Sequence, residues 1–194
     1  MQTEIEAKFL DVDHDVVRAK LKKLGAVCER PHTLMRRKNF DFPVRKQMAG
    51  WVRVRDEGGK ITLSYKQMND RGVHGTKEIN VTVDDFEKTC QLLLALGLAQ
   101  TSYQETKRES WKLGQTEIEL DEWPWLEPLA EIEAASEQKL WEVAKLLGLD
   151  KHQILHGPAD GHYALKYNVT EDEINALPEI TFSPVPAWLE AKKK

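Results

Sequence analysis

The sequence predicts an α+β protein, a closed eight-stranded antiparallel β-barrel with helices packed outside. Three observations predict it. Apolar and charged residues alternate through a series of short segments, three amphipathic stretches each stop at a Leu-Gly pair, and one face of most extended segments carries full charges.

In chain order, residues 3–10 alternate, with Glu4, Glu6 and Lys8 on one side and Ile5, Ala7 and Phe9 on the other. Helical spacing follows over about 13–24, with Val17, Leu21 and Leu24 on one face and Gly25 as the stop. Residues 33–42 read as extended but less regular. A strand opens at Gly50 and runs to 55, Glu57-Gly58-Gly59-Lys60 makes a hairpin turn, and 61–66 returns. Residues 69–75 are polar and glycine-rich, a loop. Next come a strand over 78–83 and a helix over 85–96 that ends at Gly97. Strands at 101–113 and 116–121 flank Gly114-Gln115. Trp123-Pro124-Trp125 interrupts, Glu131-Ile132-Glu133 resumes the alternation, and Ser136 caps a third helix that reaches Leu147 before Gly148. Short helices and a proline-broken end follow residue 157. The tetrapeptide Glu-Ile-Glu-Ala occurs at 4–7 and again at 131–134, each time followed by a helix closing in Leu-Gly. Glu78-Ile79 and Leu96-Gly97 repeat this loosely, which points to pseudo-symmetric construction.

Bulk properties narrow the function. The 194 residues suit one domain, with or without a small appendage, and 41% hydrophobic content can bury a core. Lys and Arg number 28 against 32 Asp and Glu, so there is no basic field for duplex nucleic acid. No apolar run approaches the ~20 residues needed to span a bilayer, and MQTEIEAKFL has no secretion-signal pattern. Cys28 and Cys90 stand in no metal-like or disulfide-like spacing. A cytoplasmic protein is expected, acting as monomer or homodimer on a small molecule, with neither nucleic acid nor membrane as partner.

The charges say more. Arg53 and Arg55, Ser64 and Lys66, Glu78, Glu117, Glu119 and Asp121, and Glu131 and Glu133 share a face with Glu4, Glu6 and Lys8. Alternation alone fits a sheet with one face in water. Composition shifts the balance, because carboxylates are poor strand formers and here repeat at i, i+2, roughly 6.5–7 Å apart. Such crowding is unfavourable unless opposite charge sits between. Closing the sheet would turn this face into a lumen suited to a polyanion carrying hard divalent cations, with Arg and Lys on phosphate oxygens and clustered carboxylates on metal. The strands supply neither His nor Cys to that face, which disfavours zinc there.

At these residues the chain resembles the CYTH superfamily, the triphosphate tunnel metalloenzymes. Its E-x-E-x-K motif stands as Glu4-Ile5-Glu6-Ala7-Lys8, and further matches follow in order from about residue 2 to 167. They are Arg53 and Arg55, Lys66, Glu78, Arg108 of the Lys107-Arg108 pair, Glu117-Ile118-Glu119 with Asp121, and Glu131 with Glu133. The resemblance implies an eight-stranded tunnel over residues 1–168, a helical and extended tail over 169–194, and triphosphate substrates handled with Mg²⁺ or Mn²⁺. It implies that Lys8, Arg53, Arg55, Lys66 and Arg108 hold the triphosphate, with Glu78 beside them. Glu4, Glu6, Glu131 and Glu133 would hold one metal, Glu119 and Asp121 a second, and Glu4, Glu6, Lys8 and Asp121 the catalytic centre. The family's Leu-Gly-x-Phe linkage is replaced by Trp125-Leu126-Glu127-Pro128-Leu129, so the shape of one tunnel mouth does not carry over. The segment His162-Tyr163-Ala164-Leu165-Lys166 is similar to the family's C-terminal plug, from which Lys166 would reach the ligand.

Three further groups are weighed. One of Arg36, Arg37 and Lys38, taken as Arg36, extends the phosphate grip, unless the run is simply solvated. Trp123 and Trp125 pack a loop or stack on a base. The six histidines are scattered and expected at the surface. The expected activity is metal-dependent hydrolysis of triphosphates, inorganic tripolyphosphate first. Thiamine triphosphatase, class IV adenylyl cyclase forming cyclic AMP from ATP, and a non-catalytic polyphosphate or nucleotide binder are the alternatives. A lipid-carrying barrel fits worse, since such lumens are apolar.

Overall fold

The structure is a computed structural model that describes residues 1–43, 50–70 and 72–194. Position 71, inside the expected 69–75 loop, lies outside the described residues. The strands are β1 (Gln2–Thr3), β2 (Glu6–Phe9), β3 (Val27–Asp41), β4 (Gly50–Asp56), β5 (Ile61–Met68), β6 (Thr76–Val83), β7 (Ala99–Leu113), β8 (Thr116–Glu122), β9 (Leu129–Glu133), β10 (Ile154–Leu155) and β11 (Glu179–Ile180). The helices are α1 (His14–Lys23), α2 (Phe86–Ala95), α3 (Glu137–Leu147), α4 (Asp160–Lys166), α5 (Glu171–Asn175) and α6 (Ala187–Glu190).

These strands form one sheet in the order β1-β6-β5-β4-β3-β7-β8-β9-β2-β10, with β11 added to β7. Among the described residues only the β11–β7 ladder is parallel. β1 at one end of this order and β2, next to last at the other, are separated in the chain by Glu4 and Ile5 alone, so the sheet must curl until its edges nearly meet. The backbone there serves both sides. Glu4 and Glu6 donate N–H to the carbonyls of Thr76 (3.1 Å) and Val73 (3.3 Å), while Ile5 accepts from Ala134 (3.1 Å). The single strand expected over 3–10 is therefore two, divided where the chain passes from one edge to the other. The result is a curled antiparallel sheet with six helices among the described residues.

The local signals act as their chemistry dictates. Asp13, Asp85 and Ser136 accept backbone N–H groups at the starts of α1, α2 and α3. Gly25 and Gly148 end α1 and α3 with φ of 76° and 70°, a conformation that penalises a Cβ. The two Glu-Ile-Glu-Ala copies lie side by side, with Glu6 opposite Glu133 and Ala7 opposite Ile132. The long β3 shifts register against β7 at three places, two between Cys28 and Thr33 and one between Asn39 and Phe40.

The outward apolar face is covered in two sectors. Phe9, Ile118, Leu120 and Ile132 pack with Leu21 of α1 and Leu140, Val143 and Leu147 of α3. Phe40, Val52 and Val54 pack with Phe86, Cys90 and Leu93 of α2. Beyond these sectors Ile79 and Val81 on β6 remain half exposed. The tail builds its own cluster from Tyr163, Tyr167, Ile174, Ile180 and Leu189. Among the described residues no helix is long and apolar enough to cross a membrane.

Leu140 is fully buried on the helix side of the core, away from the charged face. Leu140→Ala is expected to lower unfolding free energy by about 2–5 kcal/mol in urea titration, with ligand binding by the folded fraction unchanged.

Candidate active site

The inner face of the sheet encloses a cavity of about 790 Å³. Strand periodicity delivers its lining. Side chains of period two bring in Glu4, Glu6 and Lys8, Arg53 and Arg55 of β4, Lys66 of β5, Glu78 of β6 and Arg108 of β7. Glu119 and Asp121 of β8 and Glu131 and Glu133 of β9 complete the predicted residues that line it. Two predicted residues stand elsewhere. Arg36 points outward, its Nε 3.1 Å from Asp56 and its guanidinium 4.7 Å above the Phe86 ring. Lys166 donates to Glu127 at 2.6 Å and does not line the cavity.

Arg37 takes the place expected of Arg36. It is buried, lines the cavity, and lies directly opposite Arg55 in the ladder. Its hydrogen-bond partner is the Thr106 hydroxyl (2.5 Å), and its guanidinium sits 4.7 Å over Trp123. Pairing with Arg55 was the available signal, since directly opposed residues share a face. Glu57 was read as a turn residue, yet it is buried and accepts from Arg30 (2.6 Å) and Arg55 (2.8 Å). Nothing in its sequence context marks it. Trp125 packs the loop, donating to the Ser183 carbonyl at 2.8 Å. His162 departs from the surface role expected of it, at 4% exposed.

The registers sort the lumen into two walls. On one, Arg37 faces Arg55, with Arg53 two residues along β4. On the other, Glu6 and Glu117 both flank Glu133, and Glu119 faces Glu131. Cations thread the acidic wall. Lys8 Nζ lies 3.1 Å from Glu6 and 3.6 Å from Glu131. Lys66 lies 3.0 Å from Glu4 and 3.5 Å from Glu78. Arg108 grips both oxygens of Asp121, at 2.6 and 2.5 Å, and reaches Glu131 at 3.2 Å.

Burial and neighbours set the proton affinities. Burial pushes the Glu133 carboxyl up to about 7, with Glu131, Glu6 and Glu117 adding repulsion. Burial also raises Glu119 to about 7, against the pull of Arg108. Glu4, buried and hydrogen-bonded to Glu78, rises to about 8, while Glu78 falls to about 2 because Glu4, Lys66 and Arg53 outweigh its own burial. Burial works against ionisation of Glu131 too, but Lys8 and Arg108 hold it well below the usual range. On the basic wall, burial and then Arg53, Arg55 and Arg108 disfavour the charge on Arg37, and Arg53 drops to about 10. A guanidinium does not shed its proton near neutrality, so Arg37 stays charged with a hydroxyl and an indole for partners.

A hard divalent cation fits the acidic wall. Its donors are carboxylate oxygens, and Glu119 Oε2 is buried with no hydrogen-bond partner. Lys8, Lys66 and Arg108 stand among these carboxylates. The one group of three found with ligand atoms within 4.8 Å of one another, among the described residues, is Asp11, Glu127 and His162, outside the lumen lining.

The fold is thus a curled antiparallel sheet around a cavity lined by acidic and basic side chains. The CYTH domain profile matches residues 2–161, and the chain belongs to that family. Among solved structures it is similar to the PH1012 protein of Pyrococcus horikoshii OT3, 26% identical, covering 76% of this chain and 92% of that one with a TM-score of 0.64. A Vibrio parahaemolyticus protein, provisionally assigned as an adenylate cyclase, is 15% identical over 84% of this chain and 98% of its own, with a TM-score of 0.71. A Hippeastrum protein described as having dominant triphosphatase activity is 15% identical over 82% and 92%, with a TM-score of 0.56. At such identity the last two share the fold. No curated protein sequence matches the chain.

The raised carboxylates make a pH prediction. Glu4, Glu119 and Glu133 bind protons more tightly in the folded than in the unfolded chain, so their contribution to stability falls as pH rises toward 8. His162, lowered by burial, acts oppositely but only below about 6.5. Melting temperature in chelator should therefore fall between pH 6.5 and 8, and Mg²⁺ or Mn²⁺ should restore it most at pH 8; a rise in chelator over that window contradicts the assignment.

Proposed function

We propose that the lumen binds the triphosphate group of a small molecule and hydrolyses it with the help of divalent cations, inorganic tripolyphosphate being the first substrate. The single observation behind this reading is the pair of walls, Arg37 facing Arg55 with Arg53 beside them, and Glu6, Glu119, Glu131 and Glu133 crowded as like charges. In this reading the curled sheet closes as a tunnel over residues 1–168, with 169–194 as its tail.

Phosphoryl transfer asks the protein mainly for placement and charge. Arg37, Arg53 and Arg55 bind phosphate oxygens, Arg53 and Arg55 standing two apart on one strand so that both reach the same anion. Lys8 is held protonated by Glu131 and Glu6 despite its burial, and with Lys66 it supplies positive charge from the opposite side. Glu6, Glu119, Glu131 and Glu133 would hold the metal, Mg²⁺ or Mn²⁺, with Glu4 alongside. When bound, such ions offset phosphate charge and lower the pKa of coordinated water. Asp121 engages Arg108 with both oxygens and so fixes where that guanidinium meets the substrate. Water then attacks the terminal phosphorus, and the bridging oxygen departs with diphosphate.

A second reading is adenylyl cyclisation, in which the ribose hydroxyl of ATP attacks the α-phosphorus and diphosphate leaves. Its support is the provisional name of the Vibrio relative. The Hippeastrum relative's described activity favours hydrolysis. Incubation of the purified protein with Mg²⁺ or Mn²⁺ and tripolyphosphate, thiamine triphosphate or ATP separates the possibilities. Orthophosphate release supports hydrolysis, cyclic AMP supports the cyclase, and tight binding without turnover leaves a binding module.

Two substitutions test the wall assignment. Arg37→Ala should weaken triphosphate binding by about 1.5–3 kcal/mol, whereas Arg36→Ala, facing Asp56 and Phe86, should not change it. Equal effects would remove Arg37 from the site. Glu131→Gln should abolish metal-dependent turnover while far-UV circular dichroism stays native.

A further inference from the structure

Away from the lumen, three elements meet at a mixed nitrogen and oxygen donor set. Asp11 lies in the turn between β2 and α1, Glu127 in the loop between β8 and β9, and His162 in α4. Each brings one ligand atom within 4.8 Å of those of the other two, and none lines the lumen cavity. A surface pair of carboxylates alone would mean little. His162 changes that: it is 4% exposed, and its Nδ1 is buried without a hydrogen-bond partner. A buried imidazole nitrogen normally finds a donor, an acceptor or a metal.

The surrounding backbone holds the three elements together. Val12 donates to the Pro128 carbonyl at 3.0 Å and Leu10 to that of Gln153 at 2.9 Å, fixing both flanks of Asp11. The Tyr163 hydroxyl donates to the Pro124 carbonyl at 2.9 Å, docking α4 on the loop that carries Glu127. Glu127 already attracts a cation, the Lys166 ammonium at 2.6 Å.

We propose that Asp11, Glu127 and His162 form a second metal site, outside the lumen, for one divalent transition-metal ion of the zinc type. One imidazole and two carboxylates suit Zn²⁺ better than Mg²⁺ or Ca²⁺, which take all-oxygen sets. The two carboxylates match the ion's charge once Lys166 swings away from Glu127. The ion ties α4 to the end of β2 and to the 123–128 loop. Because Asp160 and Tyr163 of α4 also line the cavity, the site clamps one part of the lumen wall. It stands whatever reaction the lumen performs.

The test uses the full-length protein saturated with Mg²⁺ and titrated with Zn²⁺, followed by calorimetry and by proton–nitrogen correlation of the histidine rings. The expected result is one Zn²⁺ per chain with a shift of the His162 ring nitrogens. Asp11→Asn and Glu127→Gln should each weaken that event at least tenfold, and Glu131→Gln should leave it in place. Asp11 and Glu127 are exposed, so these variants fold even if a His162 variant does not. Unmoved His162 signals through two equivalents of Zn²⁺, or unaltered affinity in the Asp11→Asn/Glu127→Gln double variant, overturns the proposal.

Discussion

Arg37 faces Arg55, Glu119 faces Glu131 and Glu6 faces Glu133 across neighbouring strands, all inside the cavity. Two unit charges about 5 Å apart repel by about 3 kcal/mol at an effective dielectric of about 20. The sheet carries several such repulsions at once, in a place where little solvent screens them. Lys8, Lys66 and Arg108 relieve the acidic wall by standing between carboxylates. Protons relieve it further at Glu4, Glu119 and Glu133. The basic wall has fewer remedies: Glu57 serves Arg55, Glu78 lies 3.4 Å from Arg53, and Arg37 has a hydroxyl and an indole.

That repulsion shapes everything outside it. A sheet whose inner face repels itself must be held by its outer face, and the two apolar sectors under α1, α3 and α2 do so. Their residues alternate strictly with the charged ones on the same strands, so a one-residue slip would bury charge in the core and expose Val52, Val54, Ile118 and Leu120. Packing thus enforces the register that brings like charges together.

Much of this was legible in the residues because short regular strands obey one period. Arg53, Arg55, Lys66, Glu119, Asp121, Glu131 and Glu133 all lie where alternation and family resemblance put them, in the cavity lining. The three main helices start and stop at their capping residues. Legibility failed where local pattern and long-range geometry part. Arg36 and Arg37 stand side by side in a basic run, and which of them faces inward is set by pairing with β4 and β7. The crossing of the chain between two sheet edges is invisible in an unbroken Glu-Ile-Glu-Ala-Lys alternation. Lys166 sits on a short helix whose orientation is set by Tyr163 and Tyr167 docking on the tryptophan loop, a contact between residues about 40 apart in sequence. The same docking buries His162, which no neighbour in the chain foretells.

The split N-terminal segment joins architecture to chemistry in an unusual way. Residues 2–9 are the seam of the sheet, bonded on one side to β6 and on the other to β9. The same few residues carry Glu4, Glu6 and Lys8 into the lumen. Losing these residues would therefore unzip the sheet and empty one wall of its charges in a single event.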